Sequence, residues 1–397
     1  MSRIAKVEPT RRGGKNGGFG EHQGAVVKKG WERKQIGDLC EVIAGQSPEG
    51  KFYNTDGKGM PFYQGKKDFG EKFIEDPTTW TTQITKIARE GDILMSVRAP
   101  VGPVNFATDK ACIGRGLAAI RSRAELNRDF LFYQLLHLQP EIAGKEGAVF
   151  ASINKSEIEA LPIAFALLPE QQRIVGILDE AFEGIATAKA NAEKNLQNAR
   201  AIFESHLQSV FTQRGDGWVE KTVDQISTNL DSKRIPITKS DRKSGEYPYY
   251  GASGIVDYVA DYIFNGDTLL VSEDGANLLA RSTPIAFSVS GKYWVNNHAH
   301  ILKFENMATQ RFVEFYLESI KLDEYITGAA QPKLNQKALN SIPIPIPTSV
   351  EAQATIVESI ESLQEETQRL ASIYQQKLSA LEAFKKSLLQ QAFTGNL

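Results

Sequence analysis

The one close pair of histidines in this sequence is His298 and His300, separated by a single alanine. On a strand, side chains at i and i+2 share a face, so the pair could present two imidazoles to one ion. Further ligands have no evident source, and no metal site is expected. The adjacent acids Glu273 and Asp274 read better as a polar turn, or as acceptors for a base amino group such as cytosine N4. Phosphate-cradling GxxxxGK[ST] and GxGxxG loops are absent, as are an HExxH zinc helix and the Asn/Asp-Pro-Pro-Tyr type of methyltransferase motif. No catalytic constellation emerges. The two cysteines, Cys40 and Cys112, form no CxxC pair, which argues against a zinc module and a disulfide framework and fits a reducing cytoplasm.

The elements around these residues come from a chain of 397 residues with 41% hydrophobic content, enough for two or three domains. The formal net charge of −2 removes a bulk basic excess, so binding to a polyanion would need local patches or basic partners. No run of eighteen apolar residues is present, and no membrane span is expected. The N-terminus has no apolar core behind its charges, so it does not read as a signal peptide. Residues 1–30 are basic and Gly-rich, with Arg11, Arg12, Lys15, Lys28 and Lys29. They read as a flexible tail, with a phosphate-contacting arm as the alternative.

The chain repeats itself. Trp31-Glu32 is answered by Trp218-Val219-Glu220, and Pro61-Phe62-Tyr63 by Pro248-Tyr249-Tyr250. Gly91-Asp92-Ile93-Leu94 is answered by Gly266-Asp267-Thr268-Leu269. Ile153-Asn154-Lys155 through Leu161-Pro162-Ile163 parallels Leu334-Asn335-Gln336 through Ile342-Pro343-Ile344. Ser205–Thr212 parallels Ser387–Thr394. Two long repeats in one order argue against a solenoid and for a pseudo-two-fold molecule.

Each repeat opens with short apolar strands behind Gly-Asp turns, plus one short helix, expected over Arg128–Leu138 and over Gln310–Ile320. It closes with one long helix of about 40 residues, roughly 60 Å at 1.5 Å per residue. The seams are read as Leu178, Phe182, Ile185, Lys189, Ala192, Leu196, Ala199, Phe203, His206 and Val210, and as Ile356, Ile360, Leu363, Thr367, Leu370, Tyr374, Lys377, Leu381, Phe384 and Leu388. A helix that long must bury its stripe, and two-fold symmetry would pair the two antiparallel. The fold class is α+β: two pseudo-repeated α+β domains, separated by two long helices that form an antiparallel coiled coil. The expected divisions are a tail (1–30), a first domain (31–168), a central helical region (169–214), a second domain (215–347) and a C-terminal helical region (348–397).

This organisation resembles the specificity subunit of type I restriction–modification systems. Gly91 to Gly102 is similar to the family's strand-and-loop motif, and Cys112-Ile113-Gly114-Arg115-Gly116-Leu117 to its continuation. Ser272 to Asn277 and Asn296 to His300 are similar to another variety of the same domain. Leu161-Pro162-Ile163 to Pro169-Glu170-Gln171-Gln172-Arg173-Ile174 resembles the entry to the central helix; the second entry departs, with Val350-Glu351-Ala352-Gln353 in place of Pro-Glu-Gln-Gln. The resemblance implies two target recognition domains, each reading half of a bipartite DNA site. It implies helices that set the spacing and dock two modification subunits carrying S-adenosylmethionine. Restriction subunits would bring ATP- and Mg-dependent translocation and cleavage, and this chain would hold no cofactor.

Within that frame, Arg is the natural bidentate reader of guanine, Asn of adenine, and acids of cytosine, while Lys and Arg neutralise phosphates. In the first domain the candidates are Lys66, Lys67, Arg98 in its Pro/Gly loop, and Arg115 between two glycines. In the second they are Ser253, Glu273, Asp274, Asn277, Arg281, Asn297, His298 and Lys333. Asn154-Lys155 and Asn335 recur at matching places, for a shared job that can equally be a turn hydrogen bond. Two other readings stay open: a detached part of a fused restriction–methylation enzyme or nuclease, and an adaptor or DNA-binding regulator that works without modification subunits.

Overall fold

The computed structural model describes residues 30–143, 152–328 and 330–397. The basic tail, except Gly30, therefore lies outside the described residues. The chain divides into two compact units. One holds residues up to Lys189 together with Ser379–Leu397; the other is Ala190–Leu378. These divisions fall inside both long helices rather than at their entries.

In the first unit a four-stranded sheet runs in the order Cys40–Ala44, Leu117–Ser122, Ile93–Ser96, Val104–Phe106. Its strand Ile93–Ser96 is apolar over its first three residues because both faces are covered. Ile93 and Met95 join the core beside Phe130, Leu131 and Leu135. Leu94 faces a second core with Tyr63, Ala111 and Ile113. Continuous apolar runs are what a strand buried on both sides requires. The helix Arg128–Ile142 is capped by Asn127, whose side chain accepts from the N–H of Asp129 and of Phe130. A five-stranded sheet carries the parallel pair Met60–Tyr63 and Ala111–Ile113, with Tyr63 opposite Ile113. Glu32–Gln35 pairs with Pro162–Phe165 at the helix entry.

The second unit repeats the plan. Its sheet order is Thr228–Asn229, Ala299–Lys303, Thr268–Ser272, Ala286–Val289. Leu269 and Val271 pack beside Phe312 and Val313 of helix Met307–Ser319. Leu270 packs beside Phe264, Tyr293 and Val295. Ser244–Gly251 runs parallel to Lys292–Val295, with Tyr250 opposite Val295. Trp218–Thr222 pairs with Pro343–Pro347.

The long helices are Leu168–Thr212 and Val350–Thr394, each 45 residues, or about 67 Å at 1.5 Å per residue. In the first unit Arg173 donates to the Leu397 carbonyl at 2.9 Å. Lys385 sits 4.9 Å from the Phe182 ring centre, and Lys189 lies 3.2 Å from Glu382. Rising numbers on one helix meet falling numbers on the other, so the two pair antiparallel there. In the second unit Leu207 and Phe211 share a core with Val357 and Ile360.

The seam departs from the one expected at Lys189, Lys377 and Phe384, which are exposed. In the second helix Val357, Ile360, Thr367, Leu388 and Ala392 are buried, whereas Lys377 is exposed and Phe384 is 52% exposed. The expected positions Ile356, Ile360, Leu363, Thr367, Leu370, Tyr374, Leu381 and Leu388 are buried or half-buried, whereas half-buried Leu378 and Lys385 take the places of Lys377 and Phe384. In the first helix Lys189 is exposed, and Leu207 and Phe211 are buried beside half-buried His206 and Val210.

Both helix entries are locked by a glutamine. Gln171 accepts from the Asn127 N–H and donates to the carbonyls of Ala166 and Glu125. Gln353 donates to the Pro347 carbonyl and accepts from the Thr309 hydroxyl. The departure seen in the second entry motif therefore keeps the side chain that matters, shifted by one place. Among the described residues, no helix is long and apolar enough to cross a membrane.

Candidate nucleic-acid interface

In each unit three loops leave adjacent strand ends and are stitched by the same hydrogen bonds. In the first, the parallel strands ending at Tyr63 and Ile113 release Gln64–Lys67 and Gly114–Gly116, and the central strand releases Val97–Pro100. The Gly114 N–H donates to the Tyr63 carbonyl at 2.8 Å, and Val97 to the Gly116 carbonyl at 3.0 Å. Ile153 donates to the Val97 carbonyl at 3.0 Å. In the second unit Asn296 donates to Tyr250 at 3.0 Å, Glu273 to His298 at 2.9 Å, and Leu334 to Glu273 at 2.8 Å. The two frames correspond in their hydrogen bonds and strand register. Lys66 answers to Ser253, Arg98 to Asp274, Arg115 to Asn297, and Gly116 to His298. The bridges Arg98 to Ser152 and Asp274 to Lys333 also correspond.

Glycine is needed where the loops touch. A Cβ at Gly116 would lie 2.3 Å from the Gln64 carbonyl oxygen, inside any tolerable contact. The close approach leaves Arg115 exposed at the tip, with its N–H donated to the Ser47 hydroxyl at 3.1 Å.

Three of the four candidates in the first domain come together. Lys66, Arg98 and Arg115 line one surface pocket of about 250 Å3 with Gln64 and Ser96, and among the described residues no carboxylate lines it. All three cations are exposed, and their charged groups have no ion-pair or hydrogen-bond partner among the described residues. Lys67 stands outside the pocket, 3.6 Å from Asp68. Burial raises the Asp68 carboxyl above its usual range, although Lys67 works against that.

In the second domain Ser253, Asn297, His298 and Lys333 are exposed. The Nδ1 of His298 lies 2.9 Å from both carboxylate oxygens of half-buried Asp274. Three other candidates are engaged inside the fold. Arg281 donates to the carbonyls of Leu317 at 3.3 Å and Ile320 at 2.7 Å. Burial lowers its guanidinium pKa despite the nearby acids Glu318 and Asp323. Asn277 closes its own loop, accepting from Ser282 and Thr283 and donating to the Thr283 carbonyl. Glu273 is buried, with one oxygen 2.6 Å from Arg234 and the other 3.0 Å from Lys333.

Behind Glu273 lies a cluster that the sequence did not disclose. His300, 1% exposed, places Nδ1 2.5 Å from Asp231 and Nε2 2.7 Å from the Leu334 carbonyl. Asp231 also accepts from the Ile301 N–H at 2.8 Å. Burial pushes the Asp231 carboxyl up, but the bonds from His300 and Ile301 and the charge of Arg234 outweigh it and hold it below the ordinary range. Glu273 is likewise lowered, with burial overcome by Arg234 and Lys333. His298 precedes the strand and His300 points into the core, so the two do not share a face. Asp231, Glu273 and His300 bring ligand-type atoms within 4.8 Å of one another, and Arg234 and Lys333 supply positive charge there. The repeated asparagines cap short helices. Asn154 accepts from the Glu157 N–H and Asn335 from the Ala338 N–H, the local structural role.

Two copies of one loop frame, each carried on an α+β body joined to a pair of long helices, define a double-module binding protein with a different set of side chains on each module. The chain belongs to the type I restriction modification DNA specificity domain family, which matches residues 28–197 and 215–378. It is 38% identical over 178 residues to the MjaX type I restriction enzyme specificity subunit of Methanocaldococcus jannaschii, covering 44% of this chain and 41% of that protein. It is 34% identical over 168 residues to a type I restriction enzyme specificity subunit of Haemophilus influenzae, covering 42% and 41%. The matched stretch thus spans less than half the length of either relative. In fold, it resembles a chain solved in work on complex assembly and conformational transition of the type I R-M system, with TM-score 0.77 and 16% identity over 94% of this chain and 100% of that one. The HsdS subunit from Thermoanaerobacter tengcongensis is also similar, with TM-score 0.59 and 16% identity over 95% and 99%.

Proposed function

We propose that this chain is the DNA-reading specificity subunit of a type I restriction–modification complex, with no catalysis of its own. The observation that carries this reading is the repeated loop frame. The same hydrogen bonds recur in both units while the exposed side chains at matching positions change. A constant scaffold with variable polar tips suits a reader of two unlike half-sites. Base and phosphate contacts are assigned to Lys66, Lys67, Arg98 and Arg115 in one domain, and to Ser253, Asp274, Asn297, His298 and Lys333 in the other. Glu273, Asn277 and Arg281 position the second set.

In this reading the long helices set the half-site spacing and dock two modification subunits, which bind S-adenosylmethionine and methylate adenine. Restriction subunits add ATP- and Mg-dependent translocation and cleavage, in the cytoplasm. The test is exchange of Trp31 to Pro162 for the matching segment of another reader, followed by methylation mapping of cells that also express the partners. One half of the bipartite motif is expected to change. Change in both halves, or a parent complex with no bipartite motif, would overturn the reading.

A further inference from the structure

The matched frames make the chemical difference between the two sites interpretable. At the positions of Arg98 and Arg115 in the first unit, the second carries Asp274 and Asn297. Among the described residues, the first pocket holds three exposed cations and no carboxylate. Its natural partner is a paired acceptor, and guanine offers O6 and N7 side by side in the major groove. Asp274 is different in kind. A carboxylate is repelled by phosphate, so at a DNA surface it is favoured only opposite a donor, the amino group of cytosine N4 or adenine N6. His298 holds both its oxygens at 2.9 Å, fixing the acceptor in one place.

Resting on the reading above, we propose that the two half-sites are told apart by opposite hydrogen-bonding polarity. Arg98 and Arg115 read guanine in the first half-site, and Asp274, oriented by His298, reads an exocyclic amino group in the second. The experiment is methylation mapping with the full chain and its modification subunits, comparing the parent with Arg98→Ala, Arg115→Ala and Asp274→Ala. These side chains are exposed or half-buried, so the fold should tolerate their loss.

At least one of the two arginine variants should make a G·C position of the first half-site degenerate, leaving the second half intact. Discrimination there should fall roughly 5- to 150-fold, the range of one bidentate pair. Asp274→Ala should relax one position of the second half only, and the base lost identifies cytosine or adenine as the partner. If both arginine variants lower methylation evenly across an unchanged motif, they are phosphate ligands and the proposal falls, while the bipartite reading stands. An unchanged second half in Asp274→Ala would also overturn it. Absence of any bipartite motif in the parent would instead sink the underlying reading.

Discussion

At the residue scale, the two domains differ most beneath their loops. Asp231, Glu273 and His300 form a buried polar cluster with the charged Arg234 in the second unit. The matching positions in the first are Ala44, Val97 and Ala118. Breaking one member of a buried charge network leaves its partners uncompensated, at about 3–5 kcal/mol. Asp231→Asn should therefore lower the urea midpoint of unfolding at neutral pH by a corresponding amount. The sign with pH follows from the depressed carboxyl. Its contribution is complete above the unfolded value near 3.9 and is lost as pH falls through the lower folded value. The gap between parent and variant should thus narrow on strong acidification. Glu318, raised by burial although two backbone N–H groups donate to it, acts in the opposite sense in both proteins and cancels in the comparison. A gap that widens as pH falls would contradict the cluster's assigned charges.

At the element scale, the helix seam shows how packing resolves a pattern that a heptad leaves double. Spacings of four-three and three-four share every second position, and apolar Phe384 belongs to the alternative phase. The partner elements choose between the phases: Lys385 lies over Phe182, while Phe384 stands in solvent. Ile360 is fully buried, so Ile360→Ala should cost about 2–5 kcal/mol. Phe384→Ala, on the exposed face, should change the stability of the isolated chain by about 0.5 kcal/mol or less. Equal losses in thermal or urea unfolding would restore the four-three seam.

At the scale of the whole molecule, each compact unit takes in part of both long helices, so helix length bears on the proposed spacing of half-sites. A seven-residue insertion in each helix keeps the seam in phase. It adds about 10 Å at 1.5 Å per residue, close to three base pairs. Three pairs also rotate the second half-site by about 100° around a duplex of about 10.5 pairs per turn. DNA affinity should fall, and the unread gap should widen while both half-site sequences stay the same. Methylation mapping that shows the old gap in an active lengthened complex would remove the helices as the ruler.

The sequence by itself determined the duplication, the α+β character of each repeat, the two long helices and the loops that carry Lys66, Arg98, Arg115, Asn297 and His298. These are local properties: a repeat, a hydrophobic period and Gly/Pro punctuation are written in neighbouring residues. The tertiary structure alone decided which candidates share a surface. Arg281, Asn277 and Glu273 have the residue types of DNA readers, yet their partners are Leu317 and Ile320, Thr283, and Arg234 with Lys333. Asp231 and His300 stand 69 residues apart and meet only through strand pairing. Partners brought together from distant parts of the chain decide how a polar side chain is held, and they leave no mark in local spacing.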